Sequence, residues 1–490
     1  MAEPTARDSA AEATAERHFG DLARPPRRRA RSATAFVAVL SLAAVTALLI
    51  QGASREPDEI DPVALARSMS VEAAASLAQN ILPDEYAGLS PREAVRRVAD
   101  DPAVAIERSQ AAPSADADDP IESGLAGLLS IGDDVDDAAR VVSEVYRELS
   151  DAASAWMTAV FPGVVGNLPG APYSERMAAN EIRLTAAVAE SAEWPTPPRP
   201  WTQDVERAPR ADLERAADEN MDLVYFDQLA NSGNGSWVEL AGDLDTAEHV
   251  AVIVPGGSAY ITSDNFTRYS KRAHSFVDAS DGELAVLVWA AASFPTGWVQ
   301  EASPSWAEDA APQLVDFMDD VRRQVGDSVP LTLVGHSYGG AVVGLAETYE
   351  LDADQILHVA SAGAGYGVDS PGDYTQPCRT RYAMMAPGDP VSYVTGMPYG
   401  ARLGHGVDSV DLEGTTRLDT GYLPDDPEAY DDVGRTLGDL GVAGHEIAGV
   451  HSHSEVFVPE SGAWRNMLAV MLGEPTTLAG EQPSFYDGCL

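Results

Sequence analysis

Residues Gly335–Gly339 read G-H-S-Y-G, a G-x-S-x-G spacing that can expose Ser337 as a nucleophile on a sharp turn. An apolar, β-rich run at 331–334 precedes this pentapeptide, and a small-residue helical pattern at 340–347 follows it. Strand, tight turn and helix form the context in which a serine hydroxyl is held above the edge of a sheet. The sequence therefore predicts a nucleophilic serine, with the backbone N–H of Tyr338 available to bind an oxyanion.

A serine nucleophile needs a base to accept its proton and an acid to orient that base. Enzymes with this serine turn carry the acid and then the base after the serine in the chain. Asp389 is the predicted acid, because the apolar run 382–386 leads into a Pro-Gly turn directly before it. Asp369, which follows a predicted strand at 356–360, is the alternative acid.

The predicted base is His453, which lies in a loop before the amphipathic stretch 464–471. His451 is the alternative base, and His336 inside the pentapeptide is predicted to be structural. The histidines that follow Asp389 in the chain are His405, His445, His451 and His453.

A Gly-rich turn after the apolar run 252–254 is the predicted source of a second oxyanion donor. Its free backbone N–H groups make Gly257 the favoured donor and Ser258 the alternative.

Zinc ligation is a rival interpretation of His445, His451 and His453 together with a carboxylate. No H-E-x-x-H sequence is present, and a serine nucleophile of this type needs no metal. The sequence therefore predicts neither a cofactor nor a metal.

The chain is strongly acidic, with 77 acidic residues against 32 basic ones and a formal net charge of −45. Such a chain repels nucleic acid and anionic lipid surfaces, so DNA and RNA are excluded as partners. The cysteines are Cys378 and Cys489. Outside the cytoplasm they could pair and tie the C-terminal tail to the rest of the chain, but the sequence leaves this open.

An uncharged run at 33–50 follows an arginine-rich tail at 1–32. Its 18 residues would make a helix about 27 Å long, which is just enough to cross a bilayer. The preceding arginines keep the tail cytoplasmic, so the rest of the chain is expected outside the cell. We predict a single-pass membrane anchor at 33–52, with a cleaved signal peptide and secretion as the alternative.

The remaining chain divides into three parts that differ in their residue patterns. Residues 53–215 read as an all-helical segment with a Pro-rich connector, 216–475 alternate strands with helices, and 476–490 form a tail. Several of the predicted strands are continuous apolar runs, as expected for strands covered on both faces. We therefore predict an α/β fold with a mostly parallel sheet and helices on both faces. Its predicted strands are 237–240, 249–254, 284–289, 331–334, 356–360 and 381–385.

Several segments resemble the actinobacterial α/β-hydrolase family catalogued as a domain of unknown function. The similar segments are Gly242–Gly256, Leu331–Gly340, Ala386–Pro390 and His453–Phe457, with a helical lead-in at Val165–Gly170 and Arg176–Asn180. The resemblance covers residues 216 to 472. It implies an α/β-hydrolase fold and a serine hydrolase with the triad Ser337, Asp389 and His453, but it implies no particular substrate.

Taken together, the sequence predicts a membrane-anchored, extracytoplasmic serine hydrolase acting on a small-molecule or lipid-like acyl ester. One alternative is an acyltransferase or amidase that uses the same triad. A second alternative is a non-catalytic cell-envelope binding or scaffold protein. The sequence does not predict an oligomeric state.

Overall fold

A computed structural model of the chain describes residues 89–111, 135–190, 210–393, 403–425 and 444–489. The predicted cytoplasmic tail, the predicted anchor at 33–52 and the Pro-rich connector at 194–201 lie outside the described residues. Within those ranges, no helix combines the length and apolar character that a membrane span requires.

A single eight-stranded sheet organises the second half of the chain, with strand order β1-β2-β4-β3-β5-β6-β7-β8. The strands from β3 to β8 run parallel, whereas β2 is antiparallel to both β1 and β4. The six predicted strands are all present, and β1 and β8 were not predicted from sequence. The strands are β1 Asp222–Asp227, β2 Ser236–Ala241, β3 His249–Val254, β4 Leu284–Ala290, β5 Leu331–His336, β6 Gln355–Val359, β7 Thr380–Met384 and β8 Thr416–Arg417.

Helices cover both faces of the sheet, because the central strands are apolar on both sides. Every residue of β4 and β5 is buried. Their side chains join the residues of the covering helices in one large hydrophobic core. The helices in this part of the chain are α7 Arg210–Asp218, α8 Ala230–Gly233, α9 Asn265–Asp278, α10 Trp298–Glu301, α11 Ser305–Val325, α12 Tyr338–Ala346, α13 Ser452–Glu455 and α14 Gly462–Leu472.

Helices also fill the described residues before the sheet, as the sequence predicts. The first begins at a capping box, in which Ser90 Oγ accepts from Glu93 N and Glu93 Oε2 accepts from Ser90 N. An apolar stripe from Val142 to Trp156 packs into one core cluster but belongs to two helices, because Ser150 caps a new helix. These helices are α1 Pro91–Ala99, α2 Pro102–Gln110, α3 Val135–Glu148, α4 Asp151–Val160, α5 Pro162–Val165 and α6 Tyr173–Glu190.

Side chains from the helical segment bind the backbone of the edge strand β1. Asn167 donates from Nδ2 to the Phe226 carbonyl at 3.1 Å and accepts from Phe226 N at 3.0 Å. Arg176 Nε and Asn180 Nδ2 donate to two further carbonyls of the strand. An open sheet edge is a site for unwanted strand pairing, so these amide and guanidinium groups protect the edge. The predicted helical lead-in thus completes the sheet.

A disulfide joins Cys378, two residues before β7, to Cys489 near the end of the chain. The Cα atoms are 5.5 Å apart, within the normal range for a disulfide. The pairing that the sequence left open is therefore present in the structure. It closes a loop with a sequence separation of 111 residues.

Candidate active site

The turn between β5 and α12 holds Ser337 in a strained backbone conformation, with φ 56° and ψ −125°. The chain must turn this sharply because α12 packs directly against the sheet. A Cβ on Gly335 would lie 2.6 Å from Gly340 Cα, and one on Gly339 would collide with the carbonyls of Val254 and Pro255. Only glycine fits these two positions, so the local sequence enforces the predicted strand, turn and helix around the serine.

Asp389 and His453 meet at the carboxyl edge of the sheet, where β7 ends. His453 Nδ1 lies 3.1 Å from each carboxylate oxygen of Asp389. Asp389 is completely buried, and the His453 side chain is 25% exposed. Oδ1 of Asp389 also accepts from Val391 N at 2.9 Å, which fixes the plane of the carboxylate. The pair therefore has the geometry of a buried acid that orients a base open to substrate.

The alternative acid, the alternative base and the other downstream histidines lie outside the Asp389–His453 pair. Asp369 and His451 are exposed on the surface, and His405 is buried with its Nε2 bonded to the Glu301 carbonyl. His445 is exposed as well. In the described part of the chain, no three His, Cys, Asp or Glu side chains converge to form a metal site, and His453 Nδ1 faces Asp389 instead.

His336 links the serine turn to the base. Its Nε2 donates to the carbonyl of His453 at 3.0 Å, and the two imidazole centroids are 4.8 Å apart. Its Nδ1 accepts from the hydroxyl of Tyr269 at 2.6 Å, and that hydroxyl accepts from Gly256 N at 3.0 Å. The Gly-rich loop, the serine turn and the backbone of the base are thus joined by one buried chain of hydrogen bonds.

The protonation state of His336 agrees with this network. Burial lowers the pKa of His336 well below its usual range, and the nearby His453 lowers it further. A neutral imidazole has one donor and one acceptor nitrogen, which is what the Tyr269 and His453 contacts require. The predicted structural role of His336 becomes a specific one, because it positions the backbone of His453.

Replacing Tyr269 by Phe is expected to lower kcat about tenfold while KM changes little. The change leaves Gly256 N–H and His336 Nδ1 without their partner, an effect of roughly 1–2 kcal/mol on the aligned catalytic groups. Steady-state kinetics on one ester measures both constants. The exposed Tyr349 supplies the matched control, since Tyr349→Phe should leave kcat unchanged. Equal kcat values for Tyr269→Phe and the parent protein would contradict the positioning role.

The two predicted oxyanion donors belong to two segments that meet at the serine, the start of α12 and the loop after β3. Tyr338 is the first residue of α12, where backbone N–H groups have no intrahelical acceptor. A Cβ on Gly256 would lie 3.1 Å from Ser337 Oγ, so the loop after β3 runs directly past the nucleophile. Ser258 is ruled out as a donor, because its N–H already donates to the Pro295 carbonyl at 2.8 Å. Gly257 remains the predicted donor on that loop.

Sequence reasoning missed a carboxyl group beside this loop. Glu301, at the end of α10, is placed so that a Cβ on Gly257 would collide with its Oε1. Burial raises the pKa of Glu301, and the nearby His453 lowers it. No motif marks Glu301, which follows β4 in a connection of ordinary composition. Its position follows only from the folded loops.

The region that carries this arrangement is similar to a known family. Residues 231–398, which include Ser337 and Asp389, match a family model described as Alpha/beta hydrolase. Over those residues the chain is similar to the α/β-hydrolase family. The predicted resemblance and the predicted, mostly parallel α/β-hydrolase fold are thereby confirmed.

The sequence relatives of this chain include uncharacterized proteins from two strains of Mycobacterium tuberculosis. Each is 25% identical over 387 residues, which are 69% of this chain and 56% of the relative. The chain thus spans about half the length of the curated relatives it matches. Their names carry no activity that could be transferred.

Similar solved structures include the α/β hydrolase MGS-M1 from a Medee basin deep-sea metagenome library. It is 16% identical with a TM-score of 0.24, covering 35% of this chain and 70% of that one. The esterase domain of a Rhodothermus marinus protein is 16% identical with a TM-score of 0.22, covering 33% and 74%. A lipase/esterase from Lactobacillus plantarum is 15% identical with a TM-score of 0.20, covering 32% and 73%. At these distances the matches indicate no substrate.

Proposed function

We propose that this α/β hydrolase is a serine esterase that works through an acyl-enzyme intermediate. The observation that carries the proposal is the buried Asp389–His453 pair, tied through His336 to the strained turn of Ser337. Ser337 Oγ attacks the acyl carbonyl carbon while His453 Nε2 takes its proton. Asp389 holds the imidazole in the tautomer that leaves Nε2 free to accept.

The tetrahedral intermediate places a negative charge on the former carbonyl oxygen. The N–H groups of Tyr338 and Gly257 are the proposed donors to that oxygen. When the carbon–oxygen bond to the leaving alcohol breaks, the imidazolium of His453 gives its proton to the departing oxygen. A water molecule, deprotonated by His453, then attacks the acyl group on Ser337 and releases the acid.

We also propose that the enzyme acts outside the cytoplasm, anchored by residues 33–52, on small-molecule or lipid-like acyl esters. The disulfide between Cys378 and Cys489 supports this compartment, because disulfides persist in oxidising environments. Secretion after cleavage is the alternative. Membrane fractionation combined with N-terminal sequencing of the mature protein distinguishes them, since a cleaved, soluble chain would rule out the anchor.

The test of the proposed function is labelling with a fluorophosphonate, which reacts with activated serines. The parent protein is expected to form an adduct on the peptide that contains Ser337, and Ser337→Ala should give none. Ser328→Ala is the matched control, because Ser328 is an exposed serine on the surface. Hydrolysis of p-nitrophenyl esters should be lost in the same variant that loses the label.

Two results would contradict the esterase proposal. Equal labelling of Ser337→Ala and the parent protein would remove Ser337 from the mechanism. Absence of turnover on every ester tested would favour the non-catalytic alternative. An acyl-transferring enzyme would instead give an ester of an added alcohol in preference to the free acid, which product analysis in the presence of that alcohol detects.

A further inference from the structure

The carboxyl group of Glu301 is not among the groups assigned to the proposed ester chemistry, although it lies near enough to His453 for that imidazole to offset part of the rise in pKa that burial causes. A negative charge on Glu301 near the oxyanion donors opposes the charge that develops in the transition state. The burial that raises the pKa of Glu301 also disfavours this charge unless a cation lies beside it. Among the described residues, no arginine or lysine forms an ion pair with Glu301. A half-buried carboxyl that opposes catalysis in the free enzyme calls for a partner supplied by the substrate.

The loop that carries Glu301 is held in place by three consecutive backbone contacts. His405 Nε2 donates to the Glu301 carbonyl at 2.6 Å, and Gly404 N donates to the next carbonyl, that of Ala302, at 3.0 Å. The hydroxyl of Tyr338, beside the nucleophile, donates to the carbonyl of Ser303 at 2.7 Å. The carboxyl group therefore sits on a preorganised segment, which is how binding groups are built.

Exposed apolar side chains lie on the two segments that meet at the Glu301 and Ala302 carbonyls. Val299, two residues before Glu301, is 89% exposed, and Leu403, next to Gly404, is 44% exposed. Apolar side chains of this kind suit the methylene or methyl groups of an amine. The formal net charge of −45 attracts cations to the surface and repels anionic substrates.

We propose that Glu301 is a binding subsite for an alkylammonium group, so that the enzyme prefers esters with a positive charge near the scissile bond. This inference rests on the proposed esterase function and names its substrate class. The cation lies against the Glu301 carboxylate, next to Gly257, while the acyl carbonyl reaches Ser337. Its positive charge neutralises the carboxylate that would otherwise oppose the oxyanion.

The experiment compares isosteric cationic and neutral esters. Acetylcholine and 3,3-dimethylbutyl acetate differ in the charge of the alcohol, which is cationic in the first ester and neutral in the second. The p-nitrophenyl esters of 6-aminohexanoate and heptanoate carry it on the acyl side. In the parent enzyme, the ratio of kcat/KM for cation over neutral ester should be about ten in at least one pair, and it should fall to about one in Glu301→Gln.

Asp309→Asn is the matched control, because it removes the same charge from an exposed position eight residues along the chain. This variant should keep the parent's ratio of kcat/KM for cationic over neutral ester. That result distinguishes a local subsite from the overall electrostatic field of the protein. A second measurement uses tetramethylammonium as a competitive inhibitor of neutral-ester hydrolysis. Its inhibition constant should rise about tenfold in Glu301→Gln and stay constant in Asp309→Asn.

The outcomes separate this inference from the esterase proposal. Suppose that the parent enzyme hydrolyses the neutral esters, but the ratio of kcat/KM for cationic over neutral ester is the same in the parent and in Glu301→Gln. The proposed subsite would then be wrong, and the proposed esterase function would be retained. If Asp309→Asn lowers the ratio as much as Glu301→Gln does, the preference belongs to the general field and the subsite is wrong. If no ester of either kind is hydrolysed, the proposed function and the subsite fail together.

Discussion

Replacing Asp389 by Asn is expected to lower kcat about 10⁴-fold with little change in KM. Oδ1 of Asp389 accepts from Val391 N, and an asparagine oxygen at this position would keep that bond. The amide NH2 group would then face His453 Nδ1 and force it to be the acceptor. The proton would move to Nε2, where it blocks the transfer from Ser337. Asparagine has nearly the same shape and burial as Asp389, so the decrease in kcat reflects a slower chemical step.

The control for this change is Asp369→Asn, since Asp369 is the alternative acid and is exposed on the surface. It should leave kcat within about twofold, because surface substitutions away from a site have small effects. Steady-state kinetics on one p-nitrophenyl ester, with thermal melting to verify folding, measures both. A kcat of Asp389→Asn above one tenth of the parent value would remove Asp389 from the triad. A large loss in Asp369→Asn would assign the role to that residue instead.

Replacing Glu347 by Gln is expected to lower the free energy of unfolding by about 3–5 kcal/mol. Glu347 follows the last residue of α12 and is fully buried between two arginines. Arg381 donates to both of its carboxylate oxygens, with NH2 at 2.7 Å from Oε2, and Arg379 NH1 lies 3.5 Å from the same oxygen. Loss of the carboxylate that both arginines contact would leave two buried guanidinium groups without this compensating charge.

Urea unfolding measures this effect, with the midpoint and slope fitted separately. Glu350→Gln is the control, because Glu350 is exposed three residues further on. That variant should unfold within about 0.5 kcal/mol of the parent. A destabilisation below about 1 kcal/mol for Glu347→Gln would mean that the arginines find other partners. Esterase activity at low temperature should survive in both variants, since Glu347 lies at the far end of α12 from Ser337.

The sequence predicts the central strands of the sheet well and its edge strands poorly. Strands β3 and β5 are continuous apolar runs bounded by turns, which is the strongest strand signal in an α/β protein. β1 is missed because aspartates begin and end it and its pairing depends on side chains from α6. β8 has only two residues, too few to carry a period. The break between α3 and α4 rests on Ser150, a cap that the apolar periodicity hides.

The candidate site likewise contains residues that the sequence indicates and residues that it does not. Ser337, Asp389 and His453 are found because each follows or precedes an element whose pattern is strong. Tyr269 and Glu301 contact the site from 67 and 104 residues away from their partners His336 and His405. No local pattern can report such contacts, because they exist only after the strands have been placed side by side.

The disulfide also fixes the direction in which the chain leaves the molecule. Cys378 lies at the amino end of β7, whereas Ser337 and Asp389 lie at the carboxyl ends of β5 and β7. A strand of five residues spans about 17 Å, so Cys489 is tethered on the side of the sheet away from the catalytic edge. Any polypeptide joined beyond Cys489 therefore starts behind the active site. An enzyme immobilised on a surface through this end would present its substrate entrance to the solution.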